Sequence, residues 1–271
     1  MYHYTADGFN GYRSRFDDIR MIYELLEEIP NKLNLQKAAP PFILPYYNGV
    51  IPEDCGISAF IFLTGGHFTI HTFSFRETFF ADLVYPEDFD NMSLTKLLAT
   101  AFPCNAIDTN FVNRQNLKSY NTKINPDTDF GPHYLLNLYN MKEKLQMDYL
   151  FEHFDSLPSE IGMTPIMRPF TLKSTYKKSQ VISVLTMIAE SHISLHYFPE
   201  SNNCYFDLFS CRFFDEKAIL PKISSLFPAE SSQDTLISRG SQYTFRKTER
   251  PSEHERTKTW LDHIIPGPSG R

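Results

Sequence analysis

The sequence predicts an α+β protein made of two similar halves, in which antiparallel strands are combined with amphipathic helices. Three observations carry that prediction. The first is an internal repeat. Residues 64–83 (TGGHFTIHTFSFRETFFADL) align without a gap on residues 189–208 (AESHISLHYFPESNNCYFDL), so that His67 falls on His192, Ile70 on Leu195, His71 on His196 and Asp82-Leu83 on Asp207-Leu208. The same offset of 125 residues pairs Leu25 with Leu150, Pro40 with Pro165, Ser58 with Ser183 and Phe102-Pro103 with Phe227-Pro228. With a slip of one residue, Asp108-Thr109 falls on Asp234-Thr235. The second observation is that both halves run through the same order of hydrophobic patterns. The third is that the strand candidates are rich in Phe, Ile, Val and Tyr and are joined by short turns, as in antiparallel sheets with helices on one face.

Each half opens with a helix. Ile19, Ile22, Leu25 and Leu26 have helical spacing over roughly 17–29, answered by roughly 147–155. An apolar strand follows at 56–64 (GISAFIFLT), mirrored at 181–188. The repeated motif comes next, then a return strand (79–85 and 204–210) and a helix (92–101 and 216–226). The polar, Asn-rich stretch 104–146 reads as a linker, which divides the chain into 1–145 and 146–271. No role is assigned to the polar tail beyond about 240.

Composition narrows the function classes. With 271 residues, 42% hydrophobic and 15% aromatic, the chain can bury a substantial core. A net charge of −6 without a basic stripe excludes nucleic acid as the main partner. Four cysteines (Cys55, Cys104, Cys204, Cys211) form no CxxC pair, which suits a reducing compartment. The N-terminal MYHYTADGFNGYRSRFDD is too polar for a signal peptide, and no apolar run reaches membrane-spanning length. The expectation is a cytoplasmic protein without a membrane partner.

The histidine pairs His67/His71 and His192/His196 suggest a metal at first sight. The residues between His192 and His196 alternate apolar and polar, which is a strand period, and four residues along a strand span about 13 Å. That is too far for one ion, and no metal centre is expected. A serine hydrolase fares no better. Ser191 and His196 are five residues apart and point to opposite faces of one strand, and the chain has no GxSxG elbow.

What remains is a Glu190-Ser191 bond at the head of a strand, His192, His196, a Pro199-Glu200 turn and Cys211. This set resembles the motif of the S-adenosylmethionine decarboxylase family, Glu-Ser-His-x-x-x-His-x-x-Pro-Glu with a later catalytic Cys, at the spacings of its shorter bacterial form. The family's second serine, thirteen residues before the His, has a match in each half: Ser58 before His71 and Ser183 before His196. The resemblance implies sheets packed against each other with helices on the outer faces.

The resemblance also implies a mechanism. Ser191 would attack the carbonyl of Glu190 and form an ester. Elimination and hydrolysis would then leave a pyruvoyl group at the head of a chain 191–271, released from a chain 1–190. The pyruvoyl ketone would form a Schiff base with the substrate amine and act as electron sink for decarboxylation, and Cys211 would return the proton. Because His196 faces away from Ser191, the serving histidine is expected from the other half. That sets Ser58 and His71 beside Ser191, Glu190 and Cys211. The mirror site has Gly65-Gly66 and Pro86 where the working one has Glu190-Ser191 and Cys211, so one site is expected to be live and one dead. Asp82 and Asp207 recur in both halves and read as structural.

Two substrate positions depart from the family. Where the family has a glutamate for the ribose hydroxyls, the half facing Ser191 has Phe75, and Glu200 lies on the dead side. Where the family has an aromatic for adenine, this chain has Pro52. Losing a group that reads a hydroxyl relaxes specificity for it. The resemblance therefore implies an S-adenosylmethionine decarboxylase of spermidine synthesis, a fused pseudo-dimer that could dimerise further. An ornithine or arginine decarboxylase, or a non-catalytic activator of a partner decarboxylase, stands beside it.

Overall fold

The computed structural model describes residues 1–47, 55–120 and 123–241. Its strands are β1 (Tyr2–Gly11), β2 (Phe42–Tyr46), β3 (Gly56–Leu63), β4 (Gly66–Phe73), β5 (Thr78–Tyr85) and β6 (Cys104–Asn113), then β7 (Gly131–Met141), β8 (Phe170–Tyr176), β9 (Ser179–Ile188), β10 (Ser191–Phe198), β11 (Asn203–Ser210) and β12 (Ala229–Arg239). They form two six-stranded antiparallel sheets, β2-β3-β4-β5-β1-β6 and β8-β9-β10-β11-β7-β12. Each strand of the first sheet has its counterpart six places later, in the same position of the second. Among the described residues there are five α-helices: α1 (Arg13–Phe16), α2 (Ile19–Lys32), α3 (Asn91–Ala101), α4 (Met147–Glu160) and α5 (Glu216–Leu226). The Asp18 side chain accepts the Met21 N–H at 3.0 Å and that of Asp90 accepts the Ser93 N–H at 2.9 Å, so α2 and α3 are capped at the start.

Strand parity decides what each face meets. In β4, Phe68 and Ile70 join the core under α2 and α3 with Ile22, Leu26 and Leu94. In β10, Ile193, Leu195 and Tyr197 pack with Leu150 and Phe154 of α4 and with Ile223 of α5. The alternate residues look the other way. His67 and His71 of β4 reach His196 and His192 of β10 across the space between the sheets, at 2.8 and 2.9 Å. The layers are therefore helix, sheet, sheet, helix, as the resemblance implies. Between the sheets the packing changes character with position. It is apolar where β3 meets β9 (Phe60, Phe62, Leu185, Met187) and polar in the middle.

Two expectations are corrected. Residues 104–146 are not a linker, since they contain β6 and β7, and β7 lies inside the second sheet. The chain changes sheets over 114–130, so the division expected at 145/146 moves there. The strands β1 and β7 were missed for one reason. Their polar residues, His3, Thr5 and Asp7 in β1 and His133 and Asn137 in β7, are buried in the inter-sheet layer, so the segments look hydrophilic although both faces are covered. The expected helix ends at 29 and 155 also fall short of Lys32 and Glu160.

Candidate active site

The second-repeat motif begins at the turn between β9 and β10. Ser191 pairs with Ile188 on one side and Ser210 on the other. Its φ is +152°, in a region that L residues rarely adopt. It is 1% exposed, and its Oγ has no hydrogen-bond partner among the described residues. Glu190, which supplies the carbonyl of the preceding bond, is held at two points. The Glu190 carbonyl accepts the Cys211 N–H at 2.9 Å. The Glu190 carboxylate accepts the Thr164 N–H at 3.0 Å and lies 3.5 Å from Arg212 Nη1. A strained, buried serine with an idle hydroxyl thus adjoins a carbonyl polarised by a backbone donor.

The first repeat closes the same place. A Cβ on Gly66 would lie 1.9 Å from the Val84 carbonyl oxygen, and Gly65 has φ +78°. A serine does not fit there without moving the β4–β5 ladder.

Two parallel chains of hydrogen bonds run between the sheets. Ser58 Oγ is 2.9 Å from His71 Nδ1, and His71 Nε2 is 2.9 Å from His192 Nδ1, beside Ser191. On the other side Ser183 Oγ is 2.8 Å from His196 Nδ1, and His196 Nε2 is 2.8 Å from His67 Nδ1. Burial lowers the pKa of all four histidines, to about 4 for His192 and about 3 for His196. They are neutral imidazoles at ordinary pH, and both ring nitrogens of His71 are hydrogen-bonded. Cys211 packs against five phenylalanines, Phe9, Phe73, Phe80, Phe130 and Phe209. The His71 ring lies 6.2 Å from that of Phe209, a member of the cluster Cys211 packs against, and His71 bonds His192, the residue after Ser191.

The S-adenosylmethionine decarboxylase family model matches residues 2–115 and again 132–240. This chain belongs to the S-adenosylmethionine decarboxylase family. It carries two repeats of that family in one polypeptide, a pseudo-dimer. It is also similar to the crystal structure of the adenosylmethionine decarboxylase from Aquifex aeolicus VF5, at 20% identity over 41% of this chain and 87% of that chain, with a TM-score of 0.35. No helix among the described residues is long and apolar enough to cross a membrane.

The expected substrate positions are more scattered. Phe75 sits on a short turn after β4, two residues past Phe73 of the phenylalanine cluster. It is half exposed, with the Arg13 guanidinium 4.6 Å above its ring. Glu200 is exposed at the far end of β10 and accepts a hydrogen bond from Ser179 Oγ at 2.5 Å, on the side of Ser183 and His196. Pro52 lies outside the described residues.

Sequence reasoning missed a buried charged layer in the middle of the interface. Arg239 donates to Asp7 at 2.7 Å and to Asp82 at 2.6 Å, and its mirror Arg114 donates to Asn137 at 2.9 Å and to Asp207 at 2.5 Å. Each arginine reaches over to the other repeat's sheet. Burial pushes the Asp82 carboxyl up, and Arg239, His3 and His133 more than reverse it, holding it well below the usual range. At Asp7 burial wins and the pKa rises despite Arg239. His3, Asp82 and His133 have the composition of a metal site. However, Arg239 Nη1 lies 2.6 Å from Asp82 Oδ1 and 3.0 Å from His133 Nδ1, so the cation here is the guanidinium. A signal for this layer was present in the sequence: Arg114 and Arg239 are 125 apart, while His3-Tyr4 and His133-Tyr134 repeat at an offset of 130.

Proposed function

We propose that this chain is a self-processing, pyruvoyl-dependent decarboxylase acting on S-adenosylmethionine for spermidine synthesis, with one working site per chain. The observation that carries this reading is the state of the Glu190-Ser191 bond: a serine at φ +152°, an unpartnered Oγ and a carbonyl bonded to the Cys211 N–H at 2.9 Å.

In the proposed cleavage, Ser191 Oγ adds to the Glu190 carbonyl carbon, and the backbone N–H of Cys211 stabilises the oxygen as charge builds on it. The C–N bond then breaks, the hydroxyl proton ends on the freed amine, and an ester joins Glu190 to the Ser191 side chain. His71, with Ser58 as its hydroxyl partner, removes the Ser191 α-proton and the Glu190 carboxylate departs. Water replaces the nitrogen, which leaves as ammonia.

The residues present fit the resulting group. The converted residue 191 would be held by its ladder partners Ile188 and Ser210, and it supplies an electrophilic carbonyl that accepts the electron pair left when CO₂ departs. Cys211, set against the phenylalanine cluster, is the proposed donor of the proton that replaces CO₂ on the substrate carbon. The phenylalanine walls keep water from that carbon. Phe75 and Pro52 are the proposed substrate-facing departures, and Glu200 has no part in the working site.

On a denaturing gel, purified protein should run as bands of about 22 and about 9 kDa, in proportion to 190 and 81 of the 271 residues. A single full-length band would sink the reading. CO₂ release compared across S-adenosylmethionine, ornithine and arginine then assigns the substrate. Cleavage with release from ornithine or arginine alone would retain the chemistry and overturn the nucleoside assignment.

A further inference from the structure

We infer that His192, the residue that follows the processed serine, is the positioning residue for His71: reaching across from the second sheet, it fixes which His71 nitrogen carries the proton and so which way the Ser58 hydroxyl points. The inference rests on the proposed self-cleavage and adds a residue to it.

His192 lies on β10, one residue after Ser191, and its side chain takes the opposite face. Its Nδ1 is 2.9 Å from His71 Nε2, and the two rings stack at 5.1 Å with planes 11° apart. Among the described residues His192 is the one hydrogen-bond partner of that His71 nitrogen. A neutral imidazole has one N–H. The line Ser58–His71–His192 therefore has two self-consistent arrangements. Either Ser58 donates to His71 Nδ1 and His71 donates to His192, or every donor reverses. The tautomer of His192 selects between them. Without His192 the His71 tautomer is free and its ring loses its outer anchor, with Phe209 left as the neighbour at 6.2 Å.

Groups from every neighbouring strand face His192. His71 and His67 come from β4, Asp82 from β5, His3 from β1, His133 from β7, Asp207 from β11 and Arg239 from β12. This setting burdens any pH argument, but the fold supplies its own control. His67 holds the same place toward His196, at 2.8 Å with rings 5.1 Å apart, equally buried, beside Gly66 instead of a serine. A change at His67 disturbs the same layer by the same means: its ring lies 5.6 Å from that of His192, but it shares no hydrogen bond with Ser58, His71 or His192.

The test uses the full-length chain, freshly synthesised, with self-cleavage followed on gels from acid to alkaline pH and unfolding temperature measured alongside. His192→Phe keeps the ring and removes the bond, and His192→Asn returns a hydrogen-bonding group near the Nδ1 position. His67→Phe and His67→Asn are the mirror controls. We expect His192→Phe to cleave about ten-fold slower or more, His192→Asn to recover most of the rate, and both His67 variants to cleave like wild type. Burial first, and then His192, depress the His71 pKa. The acid limb of the rate profile should therefore move to higher pH in the His192 variants and stay put in the His67 variants. Equal slowing at the two positions, or an unmoved acid limb, overturns the inference and makes His192 a packing residue. If the phenylalanine variants do not fold, the asparagine pair is read by the same acid limb. A wild type that stays whole overturns the proposed function and this inference together, whereas a wild type that cleaves confines the failure to His192.

Discussion

At Ser191 the structure pairs strain with an idle nucleophile. Holding a non-glycine residue at φ +152° costs on the order of 1–3 kcal/mol, so the unprocessed chain carries that cost at the bond to be broken. Ser191→Gly and Ser191→Ala should both stay whole on a gel. The glycine variant should be the more stable by about 1 kcal/mol in denaturant unfolding, because glycine tolerates this φ. An alanine variant as stable as the glycine one would show that the strain is absent. Cys211 offers a cleaner separation of roles, since its N–H serves cleavage and its thiol serves decarboxylation. Cys211→Ala keeps the N–H, so two bands should still form while CO₂ release falls at least a hundredfold. Much of this was legible in the sequence, because Glu190, Ser191 and Cys211 sit at fixed spacing on one hairpin. The contribution of His192 was not legible. Parity told which way its ring faced, but only the packing of two sheets shows what it meets.

The hairpin β4–β5 and its counterpart β10–β11 are the same element in two chemical states. Strand alternation in β10 sends Ile193 and Leu195 to the helices and His192 and His196 to the partner sheet, and β4 does the same with Phe68, Ile70, His67 and His71. The difference lies at the mouth, where Gly66 has no room for a side chain. Gly66→Ser should therefore lower stability by several kcal/mol and create no second cleavage, as read by unfolding and by intact mass. New fragments starting at residue 66 would show that the first-repeat site is chemically competent. The elements hardest to see in the sequence were β1 and β7. A strand covered on both faces normally announces itself as apolar, but these two bury His3, Asp7, His133 and Asn137 against buried partners. The pattern that marks a solvent-facing strand was produced by a polar interior.

Across the molecule, two sheets of identical strand order meet on a layer of neutral histidines and paired charges. This makes stability depend on acid. Five buried histidines, His67, His71, His133, His192 and His196, have folded pKa values lowered by burial. The unfolded chain therefore binds more protons than the folded one below about 6.5. Their contribution is fully present above about pH 6.5 and is lost as pH falls toward the folded values. His192 alone, from 6.5 to about 4, accounts for about 3 kcal/mol. Asp7, raised by burial, acts in the opposite sense. Unfolding at pH 5 should be accompanied by net proton uptake and a lower midpoint than at pH 7.5, and equal midpoints would mean that the layer is already hydrated. The twofold pattern itself was visible in the sequence as an offset of 125, and Arg114 and Arg239 obey it, but their partners were not legible, because the arginines lie outside the motif and meet Asp207 and Asp82 only in three dimensions. The claim that the two repeats build one working site is tested most directly by the intact mass of the purified full-length chain. Two species are expected, residues 1–190 and a 191–271 chain lighter by one ammonia than a chain beginning with serine. One species with the mass of all 271 residues, or a break at Gly66, would contradict it.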